Sequence, residues 1–479
     1  MSSFPVAVDG AFVPAGADEE LAGPPHVSVA PVRGEDRISA IDTLRGFSLM
    51  GILIMNICSF GMSVGNYAFP LSTVKPVFDG PHAHLNTVLW FLRWVLAEGK
   101  MRGLFSMLFG AGVVLLTQRA EARGAGVRAA DIFARRNMWL VLFGMLHAYF
   151  IWEGDILFFY GTSALLFLFP FRVVRPRRLI WAAAILLFLN TLFLDGGFTL
   201  KTYMGKKKAT EARLLLNQHK VITLQQREAI DDYDKSEGRW RPGTKKKFDD
   251  IRAMQKGYWS AVGARAKDVI TGHTKGTYFA FGDWAGMMLL GMALYKNGFL
   301  TMKLRTKTYV WCAVIGLGVS WSLIFVGAWH VWKNHFDMMQ SMIWMQVPYG
   351  IGRVTGAIGN AAVILLLLRA GVAKWMMARV AAVGQMALSN YLLTSIAMRV
   401  LFVWSPLKWY GYMDYYELYV VVLCMWIVNL TWSAIWLRYF QFGPMEWVWR
   451  SLTYWKRQPM RLRRPVEVVV AVEPVGETA

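Results

Sequence analysis

Cysteine and charge are both scarce in this chain of 479 residues. The three cysteines, Cys58, Cys312 and Cys424, stand in apolar runs without disulfide or metal-ligand spacing, which excludes a disulfide scaffold and implies no redox role. Charged residues make up 17% of the chain and hydrophobic residues 55%, which excludes an ordinary soluble enzyme. The aromatic share of 14% excludes intrinsic disorder. The composition therefore indicates a protein embedded in a lipid bilayer.

Acidic residues are few relative to basic ones. The chain has 52 Lys and Arg against 31 Asp and Glu, and a formal net charge of +21. In a soluble protein this excess would suggest a nucleic-acid partner. Here the basic residues fall mostly in short blocks between apolar runs, so we interpret them as determinants of membrane topology and expect no nucleic-acid partner.

Ten apolar runs are long enough to cross a bilayer as helices, which requires about 20 mostly apolar residues each. The amphipathic stretch Leu85–Ala97 is a further element that either lies in the interface or crosses it. We therefore predict an all-α fold, a polytopic membrane helix bundle of about ten transmembrane helices. The predicted spans cover residues 44–62, 102–118, 132–152, 155–172, 178–195, 278–296, 308–328, 345–369, 381–402 and 416–437.

The orientation of the bundle follows from its loops, because Lys and Arg in short loops stay on the cytoplasmic side. Basic residues concentrate in 119–136, in the turn that begins at residue 172, after residues 296 and 369, and after residue 438. The alternate connections are poor in them. Both termini are therefore predicted to be cytoplasmic. Segment 63–101 fits least well, since Lys75, Arg93 and Lys100 would lie outside.

One long hydrophilic segment divides the predicted spans into two groups of five. Residues 196–277 are rich in both signs of charge and in helix formers, and we predict a helical extracytoplasmic insert. Residues 37–195 and 278–455 form the two membrane halves, without a detectable repeat. Residues 1–36 lack the pattern of a signal peptide and are predicted to be a disordered cytoplasmic tail, and 456–479 a second cytoplasmic tail.

The first predicted span opens with three ionisable residues, Arg37, Asp42 and Arg45. Asp42 and Arg45 are three residues apart and so share one helical face, where they can form an ion pair. One interpretation is a topology anchor whose arginine reaches the headgroups. The other is a cofactor-binding site, in which these residues hold the phosphates of a cytoplasmic cofactor.

His147 is the only histidine in any predicted span. Its imidazole is a candidate general base, because the pKa of imidazole lies close to working pH. Asp155 and Glu153, in the turn that follows, are candidates to orient the ring. The alternative is an ordinary hydrogen bond between helices.

Arg353 lies about eight residues into its predicted span, at a depth similar to that of the histidine. An unpaired guanidinium at that depth is costly, so Asp283 or Asp155 is its predicted partner. Asn56 and the run Ser389-Asn390-Tyr391 add polar groups at middle to outer depth. Together these residues predict a polar substrate pocket in the outer half of the bundle. Several independent hydrogen bonds between helices remain the alternative.

Histidine is too sparse elsewhere to suggest a metal centre. His82 and His84 offer two ring ligands, but no carboxylate or cysteine stands at a suitable spacing. A loop without metal is the favoured interpretation, and no metal is expected.

Five segments carry a resemblance to a known family, and they are 37–56, 105–112, 144–155, 384–391 and 442–450. They include the opening Asp42-Thr43-Leu44-Arg45-Gly46 and the run Gly384-Gln385-Met386-Ala387-Leu388-Ser389-Asn390-Tyr391. The chain resembles the YeiB-like family of bacterial polytopic membrane proteins, which contain a domain of unknown function 418. This resemblance covers about residues 37–455.

The opening motif and the intramembrane histidine are also similar to the wider group of transmembrane acyltransferases. This similarity implies transfer of an acyl group from a cytoplasmic acyl-CoA, with acetyl-CoA as one candidate donor, to an extracytoplasmic glycan or lipid acceptor. By analogy, it implies His147 as the catalytic residue, assisted by Asp155 and Arg353. The implied location is the bacterial cytoplasmic (inner) membrane.

Two hypotheses of function follow. In the enzyme, Arg37, Asp42 and Arg45 bind the acyl-CoA, and His147 either deprotonates the acceptor or carries the acyl group briefly. In the alternative, the protein is a transporter of a small anion or metabolite, with Arg353 as the anion site and His147 coupling protons. Both place the protein in a lipid bilayer and leave open whether it forms a homo-oligomer.

Overall fold

The computed structural model describes residues 39–462, except 64, 67–69, 72, 74, 76, 123, 125–127 and 405. Within these residues every regular element is a helix, and the only β-type pairing is an isolated antiparallel bridge between Phe440 and Arg461. The prediction of an all-α fold is confirmed. The predicted tail 1–36, the site residue Arg37 and residues 463–479 of the second tail lie outside the described residues.

Each predicted span before the insert overlaps a helix, and the insert itself is helical. Short π-helical turns at Arg93–Ala97, Ala164–Leu168 and Thr191–Gly196 extend three of these helices. The helices are α1 (Ser39–Gly61), α2 (Ala83–Leu92), α3 (Lys100–Ala122), α4 (Arg128–Phe150), α5 (Leu157–Ser163), α6 (Phe169–Phe171), α7 (Pro176–Asn190), α8 (Gly197–Asn217), α9 (Leu224–Trp240), α10 (Thr244–Lys256) and α11 (Tyr258–Thr271).

The second membrane half begins after a further π-helical turn, Gly272–Gly276. Two more such turns, Met342–Gln346 and Val400–Trp404, adjoin its helices. The helices are α12 (Thr277–Lys296), α13 (Thr306–Lys333), α14 (Met338–Ser341), α15 (Val347–Arg369), α16 (Lys374–Gln385), α17 (Ala387–Arg399), α18 (Tyr415–Trp436) and α19 (Pro444–Tyr454).

Seven helices in the described part of the chain are long and apolar enough to cross a membrane. The other three predicted spans are helical too, as α4, as α5 with α6, and as α12. Of these, Leu157–Phe171 is a shorter apolar helix. The seven long helices are Ser39–Gly61, Ala83–Ala122, Pro176–Asn217, Thr306–Lys333, Met338–Arg369, Ala387–Trp404 and Tyr415–Trp436.

Two boundaries differ from the sequence prediction. The fifth span does not end near residue 195, because Gly196 and Gly197 keep helical dihedrals and α7 continues into α8 as one helix of 42 residues. The ninth span is interrupted, because Met386 leaves helical geometry (φ −109°, ψ 34°) between α16 and α17. A pair of glycines in a sequence does not show whether a helix ends or continues there, and a single methionine does not show that a helix breaks.

The helices differ in how much of their surface packs against protein. The apolar stretch of α1 has 67% of its residues buried, against 28% for α13 and α18 and 11% for Pro176–Asn217. Helix α1 is therefore central and the other three are peripheral. Exposed apolar side chains such as Trp311, Ile315 and Phe325 on α13 suit contact with lipid rather than water.

Helix α1 meets α16 with almost no space between the backbones. A Cβ atom on Gly46 would overlap the carbonyl oxygen of Val380, and a Cβ atom on Gly384 would overlap that of Asp42. Only glycine permits this approach. This approach brings two of the five segments that resemble the YeiB-like family, 37–56 and 384–391, into direct contact.

The bundle has two ends, which we call the near face, where α1 begins, and the far face, where α1 ends. The near face collects most of the basic connections. Lys296 Nζ donates to the carbonyl of Val174 at 2.7 Å, and Arg172 pairs with Glu121 at 3.3 Å. The basic loops predicted to share one side of the membrane therefore do share one end of the bundle.

The insert lies on the far face. Arg265 of α11 bonds to Glu153 at 3.2 Å, to Asp250 at 2.9 Å and to the hydroxyl of Tyr410 at 2.7 Å. Gln255 donates to the carbonyl of Tyr410 at 2.9 Å. These bonds hold α10 and α11 against the loops that follow α4 and α17.

The position of Arg93 and Lys100 in segment 63–101 predicted that both lie in an outer loop. The structure instead places both inside the protein. Arg93 forms an ion pair with Glu98 at 3.0 Å, and both side chains are 1% exposed. Glu98 and Gly99 interrupt the helix, and the Lys100 amino group returns to the carbonyls of Trp94 (2.9 Å) and Glu98 (3.4 Å). A cation on the carbonyl end of a helix is favourable, so both basic residues are accommodated inside the protein.

Candidate functional site

A chamber of about 250 Å³ opens in the near-face half of the bundle, and we call it the near-face chamber. Helices α1, α3, α4, α5, α16, α17 and α19 all contribute to its wall. Its charged lining consists of four arginines, Arg45, Arg119, Arg136 and Arg450, and two acids. The other lining residues are mostly apolar, among them Phe105, Leu108, Phe109, Val113, Leu116, Phe133, Leu140, Leu157 and Leu388.

The arginines of the chamber are held by the residues around them. Arg45 Nη1 pairs with Asp42 Oδ1 at 2.9 Å, which confirms the geometry expected from their spacing, and lies 3.5 Å from the carbonyl of Gly384. The guanidinium of Arg136 stacks on the ring of Trp449 at 3.7 Å, and Trp449 Nε1 donates to the Arg136 carbonyl at 2.8 Å. Such ordered guanidinium groups suit an anionic ligand with several oxygens.

Glu446, the second acid of the chamber, closes the break in the ninth span. Its Oε1 accepts from the backbone N–H of Leu388 (2.6 Å) and of Ser389 (3.2 Å), and its Oε2 accepts from the Ser389 hydroxyl (2.5 Å). Burial raises the pKa of this carboxyl, and the hydrogen bond from the Ser389 hydroxyl opposes the rise. Glu446 therefore supplies the first turn of α17 with the acceptor that its free N–H groups need.

Two tyrosines close the inner end of the chamber. Tyr160 shares a hydrogen bond of 2.5 Å with Ser106. Tyr391 donates toward Asp155 Oδ1 at 3.5 Å, and its ring centroid lies 4.9 Å from that of His147. Both tyrosines line the chamber, so Tyr391 stands directly between the chamber and the histidine.

His147 and Asp155 form a buried pair behind this tyrosine. His147 Nδ1 lies 3.0 Å from Asp155 Oδ1, and both side chains are 0% exposed. The N–H of Phe158 donates to Asp155 Oδ2 at 2.8 Å, which fixes the carboxylate at the start of α5. Gly144 permits this arrangement, because a Cβ atom there would lie 2.8 Å from Asp155 Oδ2.

The pairing determines which nitrogen of His147 is free to react. With Asp155 ionised and the imidazole neutral, Nδ1 carries the proton that faces Asp155, because a carboxylate only accepts hydrogen bonds, and Nε2 keeps its lone pair. His147 Nε2 is buried and has no hydrogen-bond partner among the described residues. An oriented imidazole with a free Nε2 is the arrangement of a general base.

Arg353 belongs to a different ionic centre. It forms an ion pair with Asp283, and Arg102 Nη1 reaches the other oxygen of Asp283 at 3.1 Å. Of the two predicted partners, Asp283 is therefore the one that the structure supplies. Arg102 and Tyr160 connect this centre to the chamber, because the Tyr160 hydroxyl approaches the Arg102 carbonyl at 3.5 Å.

The remaining predicted residues lie apart from His147. Glu153 pairs with Arg265 of the insert at 3.2 Å. Asn390 donates to Ser433 at 2.9 Å and accepts from Trp432 at 2.7 Å, which joins α17 to α18. Asn56 is half-buried on α1 and is not among the described residues that line the chamber. Of the polar residues predicted for the pocket, the structure thus brings Asp155 and Tyr391 into contact with the histidine.

Sequence reasoning missed several residues of the site. The sequence pattern assigns Arg136 to membrane topology and Arg450 to an interfacial anchor, and Tyr160 carries no signal that separates it from other aromatic residues in spans. His273, in the insert, was also missed, and its ring stacks on Phe158 at 4.0 Å between centroids. Burial lowers the pKa of His273, although Asp155 opposes this.

Metal ligation has no support in the part of the chain that the structure describes. Within it, no group of three or more His, Cys, Asp or Glu residues could hold an ion. His82 contacts Asp414 at 3.3 Å.

Helix α13 extends to Lys333 and so includes His330, a second histidine in a long apolar helix, whose Nε2 contacts Gln340 Oε1 at 2.9 Å.

The five segments that carry the family resemblance converge on one place. Four of them line the near-face chamber through residues such as Arg45, Phe109, Leu388 and Arg450. The fifth, 144–155, supplies the histidine and aspartate behind it. Segments hundreds of residues apart in sequence thus surround one cavity.

Comparisons with known proteins agree with this resemblance. Residues 294–456 match the family described as protein of unknown function (DUF418). The chain is 27% identical over 445 residues to the uncharacterized protein YxaH of Bacillus subtilis, covering 92% of this chain and 100% of that protein. It is 28% identical over 428 residues to the uncharacterized protein YeiB of Escherichia coli, covering 87% and 96%. No solved structure matches. The family match and the two relatives support the YeiB-like, DUF418 family for this chain.

Proposed function

We propose that this protein is an integral membrane acyltransferase, which moves an acyl group from an acyl-CoA to an acceptor glycan or lipid. One observation carries the proposal. A single chamber has four arginines in its wall, and Tyr391, which also lines it, contacts the buried pair of His147 and Asp155. A long donor with an anionic head and a reactive thioester at the other end fits such a chamber.

The donor's phosphates are assigned to the arginines of the near face. Arg45 and Arg136 are fixed by Asp42 and Trp449, which lowers the cost of ordering them around a ligand. Arg119 and Arg450 complete the basic lining. The apolar wall beyond them suits the uncharged arm of a CoA ester, which extends toward Tyr160 and Tyr391.

The transfer is assigned to His147, with Asp155 as its positioning residue. Nε2 removes the proton of the acceptor hydroxyl as the oxygen attacks the thioester carbon. The C–S bond then breaks, and the leaving thiolate takes this proton from Nε2, so the products are an ester and free CoA. Tyr391 replaces Arg353 as the candidate donor of a hydrogen bond to the oxyanion, because Arg353 is bound to Asp283. The single O–H of Tyr391 would turn to the oxyanion from Asp155 Oδ1, which it contacts at 3.5 Å.

The near face is proposed to be cytoplasmic, in the cytoplasmic (inner) membrane of a bacterium. The basic connections on this face support the orientation. The proposal includes ten crossings, with α4, α5 with α6, and α12 added to the seven long helices. The insert would then lie outside the cytoplasm, and the acyl-CoA would enter from the side where it is made.

The donor site is tested by Arg136→Gln. We expect acetyl-CoA to raise the Tm of the purified wild-type protein, since a ligand that binds only the native state stabilises it. Loss of one charged contact to phosphate costs about 1.5–3 kcal/mol, so Arg136→Gln should weaken acetyl-CoA binding about tenfold or more. Isothermal titration with acetyl-CoA and with free CoA measures both affinities.

Arg172→Gln is the matched control for this experiment. Arg172 also stacks on an aromatic ring, that of Phe169 at 3.8 Å, and lies on the near face, but it is not among the chamber's lining residues. Its replacement should leave acetyl-CoA affinity within about twofold of the wild type. An equal loss in both variants would indicate general attraction to a basic surface, and no response to acetyl-CoA or CoA in the wild type would refute the donor site.

A second candidate function, transport of a small anion coupled to protons through His147, is favoured by one observation. The helix break at Glu98 and Gly99 resembles the discontinuous helices of transporters. Proteoliposomes supplied with labelled acetyl-CoA and labelled acetate separate the two functions. Transport predicts label inside the vesicles without free CoA, whereas acyl transfer predicts release of the CoA thiol.

A further inference from the structure

A second cavity, of about 420 Å³, lies beside His147, and we call it the lateral groove. It is framed by α4, α17, α18 and the start of α19. Leu146 and Ile396, at its edges, are 49% and 40% exposed. The groove is lined by Phe143, Leu146, His147, Ile151, Ser389, Leu392, Leu393, Ile396, Trp432, Pro444 and Met445.

Helix α17 separates this groove from the near-face chamber. Leu388 and Tyr391 face the chamber, whereas Leu392, Leu393 and Ile396 face the groove. On α4 one helical stripe continues from the chamber at Leu140 to the groove at Phe143 and His147, with spacings of three and four residues. The two cavities therefore lie on either side of α17, and Tyr391 and His147 are in contact across this boundary.

Among the polar side chains of the groove lining, only that of His147 has an unengaged polar atom. The Ser389 hydroxyl bonds to Glu446, and the Trp432 indole N–H bonds to Asn390. His147 also lines the groove, is 1% exposed, and its Nε2 has no hydrogen-bond partner within the described chain. An apolar groove with a single buried acceptor fits a molecule that is apolar over most of its length and carries a hydroxyl.

We infer that the acyl acceptor is a membrane lipid with a hydroxyl group, which enters the lateral groove from the bilayer and presents that hydroxyl to His147 Nε2. This inference rests on the proposed function and narrows its acceptor from a glycan or lipid to a lipid. A water-soluble glycan would need polar partners along its length, and the side chains of the groove lining provide only His147 Nε2 beyond those already engaged. Lipid is the medium that surrounds the exposed apolar side chains of α4, α17 and α18.

The two substrates then meet from opposite sides of α17. The donor occupies the near-face chamber and the acceptor the lateral groove, with His147 and Tyr391 between them. The lipid hydroxyl loses its proton to Nε2 and forms the new C–O bond, and the CoA thiolate leaves with that proton. Lateral entry also explains why the catalytic pair is closed to water, since water would otherwise compete as acceptor.

The inference is tested by Leu146→Trp, which replaces a leucine side chain at the groove edge by a bulkier indole ring. The full-length protein is reconstituted in phosphatidylcholine vesicles that contain a small fraction of phosphatidylglycerol with a photoreactive diazirine in one acyl chain. Mass spectrometry then locates the labelled residues. We expect labelling of the segment 389–396 in the wild type, and a loss of about tenfold or more in the variant.

Leu142→Trp is the matched control, because Leu142 is 41% exposed on the same helix but is not among the residues that line the groove. It should label like the wild type. Absence of labelling at 389–396 in the wild type, or groove labelling that Leu146→Trp leaves unchanged, would overturn the inference. Failure of acetyl-CoA to raise the Tm, with labelling retained, would refute acyl transfer alone.

Discussion

His147→Ala is expected to lower the rate of acyl transfer by about 10²–10⁴-fold, the usual contribution of a general base. Within the pair, only the imidazole offers a free proton acceptor, Nε2, because Asp155 already accepts from Nδ1 and from the N–H of Phe158. Alanine removes that acceptor without adding bulk. The measurement is release of free CoA from acetyl-CoA by protein in lipid vesicles.

Binding and fold should survive this substitution. The proposed site for the donor's phosphates consists of near-face residues such as Arg136, for which the structure shows no contact with His147. The rise in Tm with acetyl-CoA should therefore remain. Asp155→Asn should also slow transfer strongly, because the amide can donate to Nδ1 and so favours the tautomer with the proton on Nε2.

His330→Ala is the matched control for a histidine in a long apolar helix. His330 lies on α13 and contacts Gln340, outside both the near-face chamber and the lateral groove. Its replacement should leave the rate of transfer within a few-fold of the wild type. If His147→Ala transferred acyl groups at the wild-type rate, or if both histidine variants lost activity together, the catalytic assignment would be wrong.

The helices could be predicted from sequence because they depend on local composition. Every predicted run is helical over most of its length, since a run of apolar residues this long has no other stable conformation in lipid. The breaks at Glu98–Gly99 and at Met386 could not be predicted in the same way. They depend on partners distant in sequence, with Glu446 supplying the acceptor at α17 and Gly46 and Gly384 bringing α1 against α16.

The candidate site was predictable only where its parts are close in sequence. His147 and Asp155 are eight residues apart, on two sides of one turn, and their pairing follows from that turn. Tyr391 reaches the pair from more than two hundred residues away, through the packing of α17. Arg353 was placed near His147 by depth alone, and depth does not fix which side of the bundle a residue faces. The structure places it against Asp283 instead.

Asp283→Asn should be the most destabilising of the substitutions considered. It leaves the guanidinium groups of Arg353 and Arg102 without their shared carboxylate, and Arg353 is 5% exposed. Removal of one partner from a buried ion pair typically costs about 3–5 kcal/mol, because the remaining charge stays desolvated. The measurement is the loss of free energy of unfolding, or the fall in Tm, of the purified protein in detergent.

Asp249→Asn provides the comparison, because Asp249 pairs with Arg252 on the insert at 2.6 Å with side chains 51% and 74% exposed. An exposed pair contributes about 0–1 kcal/mol, so this variant should unfold like the wild type. A double variant in which Leu replaces Asp283 and Met replaces Arg353 should recover part of the loss, since only Arg102 then lacks a counter-charge. If Asp283→Asn cost no more than Asp249→Asn, water would have to reach both guanidinium groups. The ionic centre would then be a hydrated anion site, as the transport hypothesis requires, rather than a structural element of the bundle.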